Sequence, residues 1–141
     1  VLALGATITT NQRSISSDDY FIGMFETALN SNEIITQISF PIPDKSSYIK
    51  FPNPASRYAM VGVFMAKTGN KVNVAITGAS ENGVFRSSEI ENALTANFTL
   101  ESIDGLNISS DGLISDIHAS SSYRANLIKE MAKRALKEII T

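Results

Sequence analysis

The sequence predicts an α+β fold: an antiparallel β-sheet with helices packed on one face and a C-terminal amphipathic helix. Three observations lead to this reading. Gly69-Asn70 stands between two apolar runs, residues 60–67 and 72–77, which is the signature of a tight hairpin. Residues 123–140 carry apolar side chains at helical spacing. All four prolines fall in one window, Pro41, Pro43, Pro52 and Pro54, so regular structure is punctuated there.

Taken in order, Leu2, Leu4, Ala6 and Ile8 share one face of an expected extended segment. Asn11-Gln12 breaks it, and residues 13–16 suit a returning short strand. Asp18 and Asp19 suit a turn or the first turn of a helix. Ile34, Thr36, Ile38 and Phe40 then alternate with Glu33, Ile35, Gln37 and Ser39, the period of a strand. Ile35 is the lone apolar residue on the more polar of these faces. Residues 41–47 read as a boundary between a short N-terminal piece and a C-terminal unit.

The second piece has the clearer plan. Residues 47–51 suit a strand, and residues 60–67 form a nearly continuous apolar run suited to a central strand. After the hairpin, Val72, Val74 and Ile76 occupy one face. Asn82-Gly83 marks another turn, with a short strand over 84–86. Ser88 and Glu91 fit a capping box, and Ile90, Ala93, Leu94 and Phe98 continue at helical spacing. Residues 107–122, rich in serine, glycine and aspartate, read as loop. In the last segment Tyr123, Leu127, Ile128, Met131, Ala132, Ala135, Leu136, Ile139 and Ile140 form one stripe, with Ser120 or Ser121 as cap.

Composition excludes several function classes. The 141 residues include no cysteine, so thiolate metal sites, iron–sulfur ligation and a cysteine nucleophile are absent from this chain. A single histidine rules out a His-rich metal site. The net charge of −2, with no basic run, gives nucleic-acid binding no electrostatic support. Apolar runs fall well short of the ~20 residues of a spanning helix. The opening Val1-Leu2-Ala3-Leu4 is apolar and lacks methionine, as expected of a cut through a folded region.

The catalytic inventory is poor. His118 follows Asp116 and precedes three serines, but nothing there forms a nucleophile elbow, so a loop or capping histidine is the plainer reading. The glycine run over 77–83 lacks a P-loop lysine and the dinucleotide spacing, and reads as a turn. The window over 50–58 is more informative, because it joins a Pro-rich connector to the central strand and carries Lys50, Arg57 and Tyr58.

That window, continued as Lys50-Phe51-Pro52-Asn53-Pro54-Ala55-Ser56-Arg57-Tyr58-Ala59-Met60-Val61-Gly62-Val63-Phe64, resembles the flavoprotein (medium) subunit of aerobic carbon monoxide dehydrogenase, in the xanthine dehydrogenase/molybdenum hydroxylase family. Val74-Ala75-Ile76-Thr77-Gly78-Ala79 with Asn82-Gly83-Val84-Phe85-Arg86 agrees with it. So does Asp116-Ile117-His118-Ala119-Ser120 with Tyr123-Arg124-Ala125. Residues 6–29 resemble the end of the family's FAD-binding domain. The glycine-rich loops that grip the FAD pyrophosphate in the family have no counterpart here.

The resemblance implies that residues 1–44 are the end of the FAD-binding middle domain and residues 45–141 the C-terminal domain. It implies a chain that walls a flavin site, with Ile35, Lys50 and Tyr58 approaching the isoalloxazine. A cation at Lys50 would stabilise negative charge on reduced FAD, and Tyr58 would cover one flavin face. It further implies an iron–sulfur small subunit with 2Fe–2S clusters and a molybdopterin large subunit as partners. FAD would pass electrons to an external acceptor, in a cytoplasmic enzyme, and this chain alone would be inactive. The alternative is a non-catalytic α+β interaction or assembly module that binds no flavin.

Overall fold

The computed structural model describes residues 1–141. Strands β1 (Thr7–Thr10) and β2 (Ser14–Ser16) form a hairpin, followed by one helical turn, α1 (Ser17–Tyr20). A small ribbon follows, β3 (Phe21–Gly23) with β4 (Glu26–Thr27), and β5 (Ile35–Ser39) returns beside β1, giving the sheet order β2-β1-β5. The main sheet is an antiparallel meander of β6 (Lys45–Pro52), β7 (Ala59–Thr68), β8 (Lys71–Ser80) and β9 (Gly83–Arg86) in that spatial order. Helices α2 (Ser88–Ala96), α3 (Glu101–Asp104) and α4 (Ser121–Ile140) complete the chain.

The core lies between the main sheet and the helices. Val61, Val63 and Met65 of β7 and Val72, Val74 and Ile76 of β8 point at Ile90 and Leu94 of α2 and at the stripe of α4. All of these are buried. Full burial of one such side chain is worth about 1.5–3 kcal/mol. A 20-residue helix is about 30 Å long, close to the length of a 10-residue strand, so α4 can lie along β6 and β7 for most of their extent. Two polar links fix its C-terminal end to the edge strand. Lys45 Nζ donates to the Ile139 carbonyl at 2.8 Å, and Ser47 Oγ donates to Glu138 Oε2 at 2.8 Å.

The opposite sheet face carries the N-terminal segment over part of its area. Leu2 and Ala3 pack on Ala75, with Phe21, Phe64 and Val84 around them. Arg86 reinforces the contact. Its guanidinium donates to both Glu91 oxygens, at 2.5 and 2.8 Å, and to Asn73 Oδ1 at 2.7 Å, while Asn73 Nδ2 donates to the Ala3 carbonyl at 2.8 Å. Asp18 lies 3.5 Å from the same guanidinium.

Four local expectations change. Residues 2–5 form a turn, not a strand, because Gly5 takes φ +62 and the Gly5 and Ala6 amides donate back to the Leu2 and Val1 carbonyls. In β5 the pairing jumps from Thr9–Gln37 to Thr10–Ile35, leaving Thr36 as an extra, bulged residue. The bulge turns Ile35 to the face it shares with Ile38, toward Ile8 and Ile15, while Ile34 and Phe40 are exposed. The Ser88–Glu91 capping box does not form. Ser87 is the N-cap, without a side-chain bond, and Glu91 accepts instead from Arg86 and from the Val74 amide at 2.7 Å. Phe98 lies past the end of α2, half-buried against the core. Ser120 caps α4 as expected, accepting from the Tyr123 amide.

Candidate functional site

Period-two alternation places Tyr48 and Lys50 of β6 on the sheet face away from the helices. The register continues each across the sheet: Lys50 opposite Gly62 opposite Thr77, and Tyr48 opposite Phe64 opposite Ala75. Gly62 is needed here for space, since a Cβ would lie 2.6 Å from the Tyr48 hydroxyl and 2.8 Å from Thr77 Cγ2. Beside Lys50's row lies a mainly apolar cavity of about 390 Å³, with Leu2, Phe21, Tyr48, Phe64 and Val84 in its walls.

The connector between β6 and β7 is tightly folded. Asn53 Oδ1 accepts from the Ala55 and Ser56 amides, at 3.0 and 3.3 Å, and the Asn53 amide donates to the Tyr58 carbonyl at 2.7 Å. Arg57 sits at φ +64, a strained position for a residue with a Cβ. Its amide donates to the Asn53 carbonyl at 2.9 Å, and its carbonyl accepts from Lys50 Nζ at 3.0 Å. Lys50 therefore braces the strained residue, with two of its three ammonium protons left to donate elsewhere. The next side chain, Tyr58, is 81% exposed, an unusual state for a tyrosine on a rigid turn.

Beneath the connector lies a group that sequence reasoning passes over. Arg124, in the first turns of α4, is only 4% exposed. Its Nη1 donates to the Met60 carbonyl at 2.8 Å and to the Gly78 carbonyl at 3.1 Å, and its Nη2 to Asp116 Oδ2 at 2.8 Å. Asp116 Oδ1 accepts from the Ala119 and His118 amides at 3.0 and 2.9 Å. These two amides, with Arg124 beyond them, hold the Asp116 carboxyl below its ordinary pKa. Gly78, at φ +78, lets the β8 backbone approach β7, where a Cβ would collide with the Ala59 carbonyl oxygen.

Of the three residues singled out from sequence, Lys50 and Tyr58 come together at the connector. Ile35 lies elsewhere, half-buried with Ile8, Ile15 and Tyr20, and Phe21 packs against both that cluster and the wall of the cavity. Tyr48, Phe64 and Thr77 share the Lys50 face, and their strand alternation alone was enough to place them there. The run over 77–83 is the end of β8 and its turn into β9, with Gly78 and Gly83 at positive φ. His118 is exposed in a loop stabilised by Asp116. The exposed Lys50 and Tyr58 meet at the braced connector, and the apolar cavity lies farther along the sheet at the Tyr48–Phe64 row, so a cation and a phenol are the groups offered there to a flat aromatic that carries negative charge.

No family model matches the sequence. Three curated relatives do. The glyceraldehyde dehydrogenase medium chain of Sulfolobus acidocaldarius is 30% identical, over 97% of this chain and 54% of that one. The nicotine 6-hydroxylase medium subunit of Paenarthrobacter nicotinovorans is 28% identical, over 90% and 48%. The carbon monoxide dehydrogenase medium chain of Hydrogenophaga pseudoflava is 26% identical, over 89% and 47%. Quinoline 2-oxidoreductase from Pseudomonas putida 86 has the same fold, with a TM-score of 0.75 at 22% identity over 98% of this chain and 53% of that one. The chain spans about half the length of the curated relatives it matches.

Proposed function

From its membership of the medium-chain family of molybdenum hydroxylases, we propose that this chain walls the flavin site of an electron-transferring medium subunit. Residues 1–44 are then the end of an FAD-binding domain, and residues 45–141 a C-terminal domain that closes on the flavin. The carrying observation is that Lys50, an exposed cation near the end of β6, braces the connector that presents the 81% exposed aromatic Tyr58.

FAD, when bound, supplies the relay that accepts electrons from iron–sulfur clusters and delivers them to an external acceptor. The residues of this chain orient and tune it. Tyr58 offers a ring face for stacking and excludes water from the flavin plane. Lys50 holds a positive charge where reduction makes the ring system negative, which favours the reduced form. Ile35 has its side chain in an apolar cluster that adjoins the cavity through Phe21, so its part is to shape the apolar wall. The partners of this subunit are an iron–sulfur small subunit and a molybdopterin large subunit, in a cytoplasmic assembly.

The test is the near-UV and visible absorption of the enzyme purified from its native gene with its genomic neighbours. Flavin bands together with iron–sulfur absorption support the reading. A colourless protein that refuses added FAD overturns it. The 141-residue chain alone should neither retain FAD stoichiometrically nor turn over.

A further inference from the structure

We infer that Arg124, fixed by Asp116, is the positioning residue that sets where Tyr58 stands. The inference rests on the flavin-facing role proposed above for Tyr58 and adds the device that controls it.

The ladder between β7 and β8 ends at the Gly62–Thr77 pair. Met60 and Gly78 lie beyond that pair, where no strand-to-strand pairing holds the two chains. On the other side, the β6–β7 register slips between Phe51 and Pro52, and proline has no amide to donate. The entry of β7, which begins one residue after Tyr58, is therefore unpaired on its β8 flank and held on its β6 flank only by the irregular Pro52–Ala59 pair and the Asn53–Tyr58 backbone bond, with Met60 left out of both ladders. Arg124 supplies a restraint there, with Nη1 bridging the Met60 and Gly78 carbonyls from below. Gly78 makes the bridge possible by letting the backbone press against the Ala59 carbonyl.

A purely structural role fits this arrangement less well. Removing a guanidinium from water is costly, and apolar residues of similar size often stabilise a core as well or better. Arg124 Nε is also buried with no partner, so the side chain is not placed to satisfy all its own donors. What its geometry does satisfy is two carbonyls at the root of the connector and one carboxylate, Asp116, that fixes the guanidinium plane.

The test uses the holoenzyme with its complete medium chain. Arg124→Lys keeps the charge and loses the fork. Asp116→Asn keeps an oxygen for the His118 and Ala119 amides and loses the ion pair, so it serves where Arg124→Lys folds poorly. FAD affinity, flavin fluorescence and Tm are read for each, alone and combined with Tyr58→Ala, as a double-mutant cycle.

In the Tyr58 background, either change should raise the FAD Kd about tenfold and brighten flavin emission as stacking loosens. Both effects should vanish in the Tyr58→Ala background. Equal effects in the two backgrounds, or no flavin effect beside a lowered Tm, would overturn the inference and leave Arg124 as a core residue. Tyr58→Ala alone reports on the underlying reading. If it leaves FAD affinity and emission unchanged, the role of Tyr58 fails, and the inference fails with it.

Discussion

Two glycines separate conformational strain from steric collision. Gly69, at φ +56, has open space where a Cβ would go, so Gly69→Ala should cost only the left-handed backbone penalty, about 1–2 kcal/mol. Gly78 has a positive φ and also the Ala59 carbonyl in the way, so Gly78→Ala should cost more, roughly 2–4 kcal/mol. Chemical denaturation of the two variants checks the order, and equal losses would contradict the close approach. Glu33 gives a pH prediction. Its carboxyl is held at about 2, first by Arg13, then by the Asn30 amide, with the Thr10 hydroxyl also donating. A depressed folded-state pKa means stability that is full above the unfolded value and lost as pH falls toward 2. Glu33→Gln should therefore flatten the acid limb of the stability curve below about pH 4. An unchanged limb would place the acid sensitivity elsewhere.

At the scale of elements, α4 should dominate stability. Met131 is buried against the sheet, and Met131→Ala should cost about 2–5 kcal/mol. Ser120→Ala removes the cap and should cost about 1 kcal/mol. Thermal unfolding orders the pair, and a cap loss larger than the core loss would contradict the packing described. The same element shows what a sequence discloses. The hairpin at Gly69-Asn70 and the stripe of α4 are legible because each is a local periodicity joined to a local terminator. The side to which Ile35 points is not, because it depends on Thr36 bulging out of a ladder with β1, a partner 27 residues distant for the Thr36–Thr9 contact. Glu91 misleads for a related reason: a capping box is local chemistry, and here the nearby Arg86, five residues back, and the Val74 amide, 17 residues back, claim the carboxylate instead. Of the candidate site, Lys50 and Tyr58 are legible from one contiguous window. Arg124 is not, since its carbonyl partners lie 64 and 46 residues away along the chain.

At the scale of the whole molecule, the sheet divides two tasks. One face carries the helices and nearly all the core. The other carries the N-terminal segment over part of its area and leaves Lys50, Tyr48 and the connector exposed. No helix is long and apolar enough to cross a membrane. The most direct measurement is the flavin midpoint potential of the complete enzyme with Lys50→Met. Loss of a cation beside the ring should lower the potential by an amount on the order of tens of millivolts, with Tm lowered only slightly by loss of the one exposed hydrogen bond to the Arg57 carbonyl. An unchanged potential in a well-folded, FAD-loaded variant would mean that this face of the sheet does not look onto the flavin.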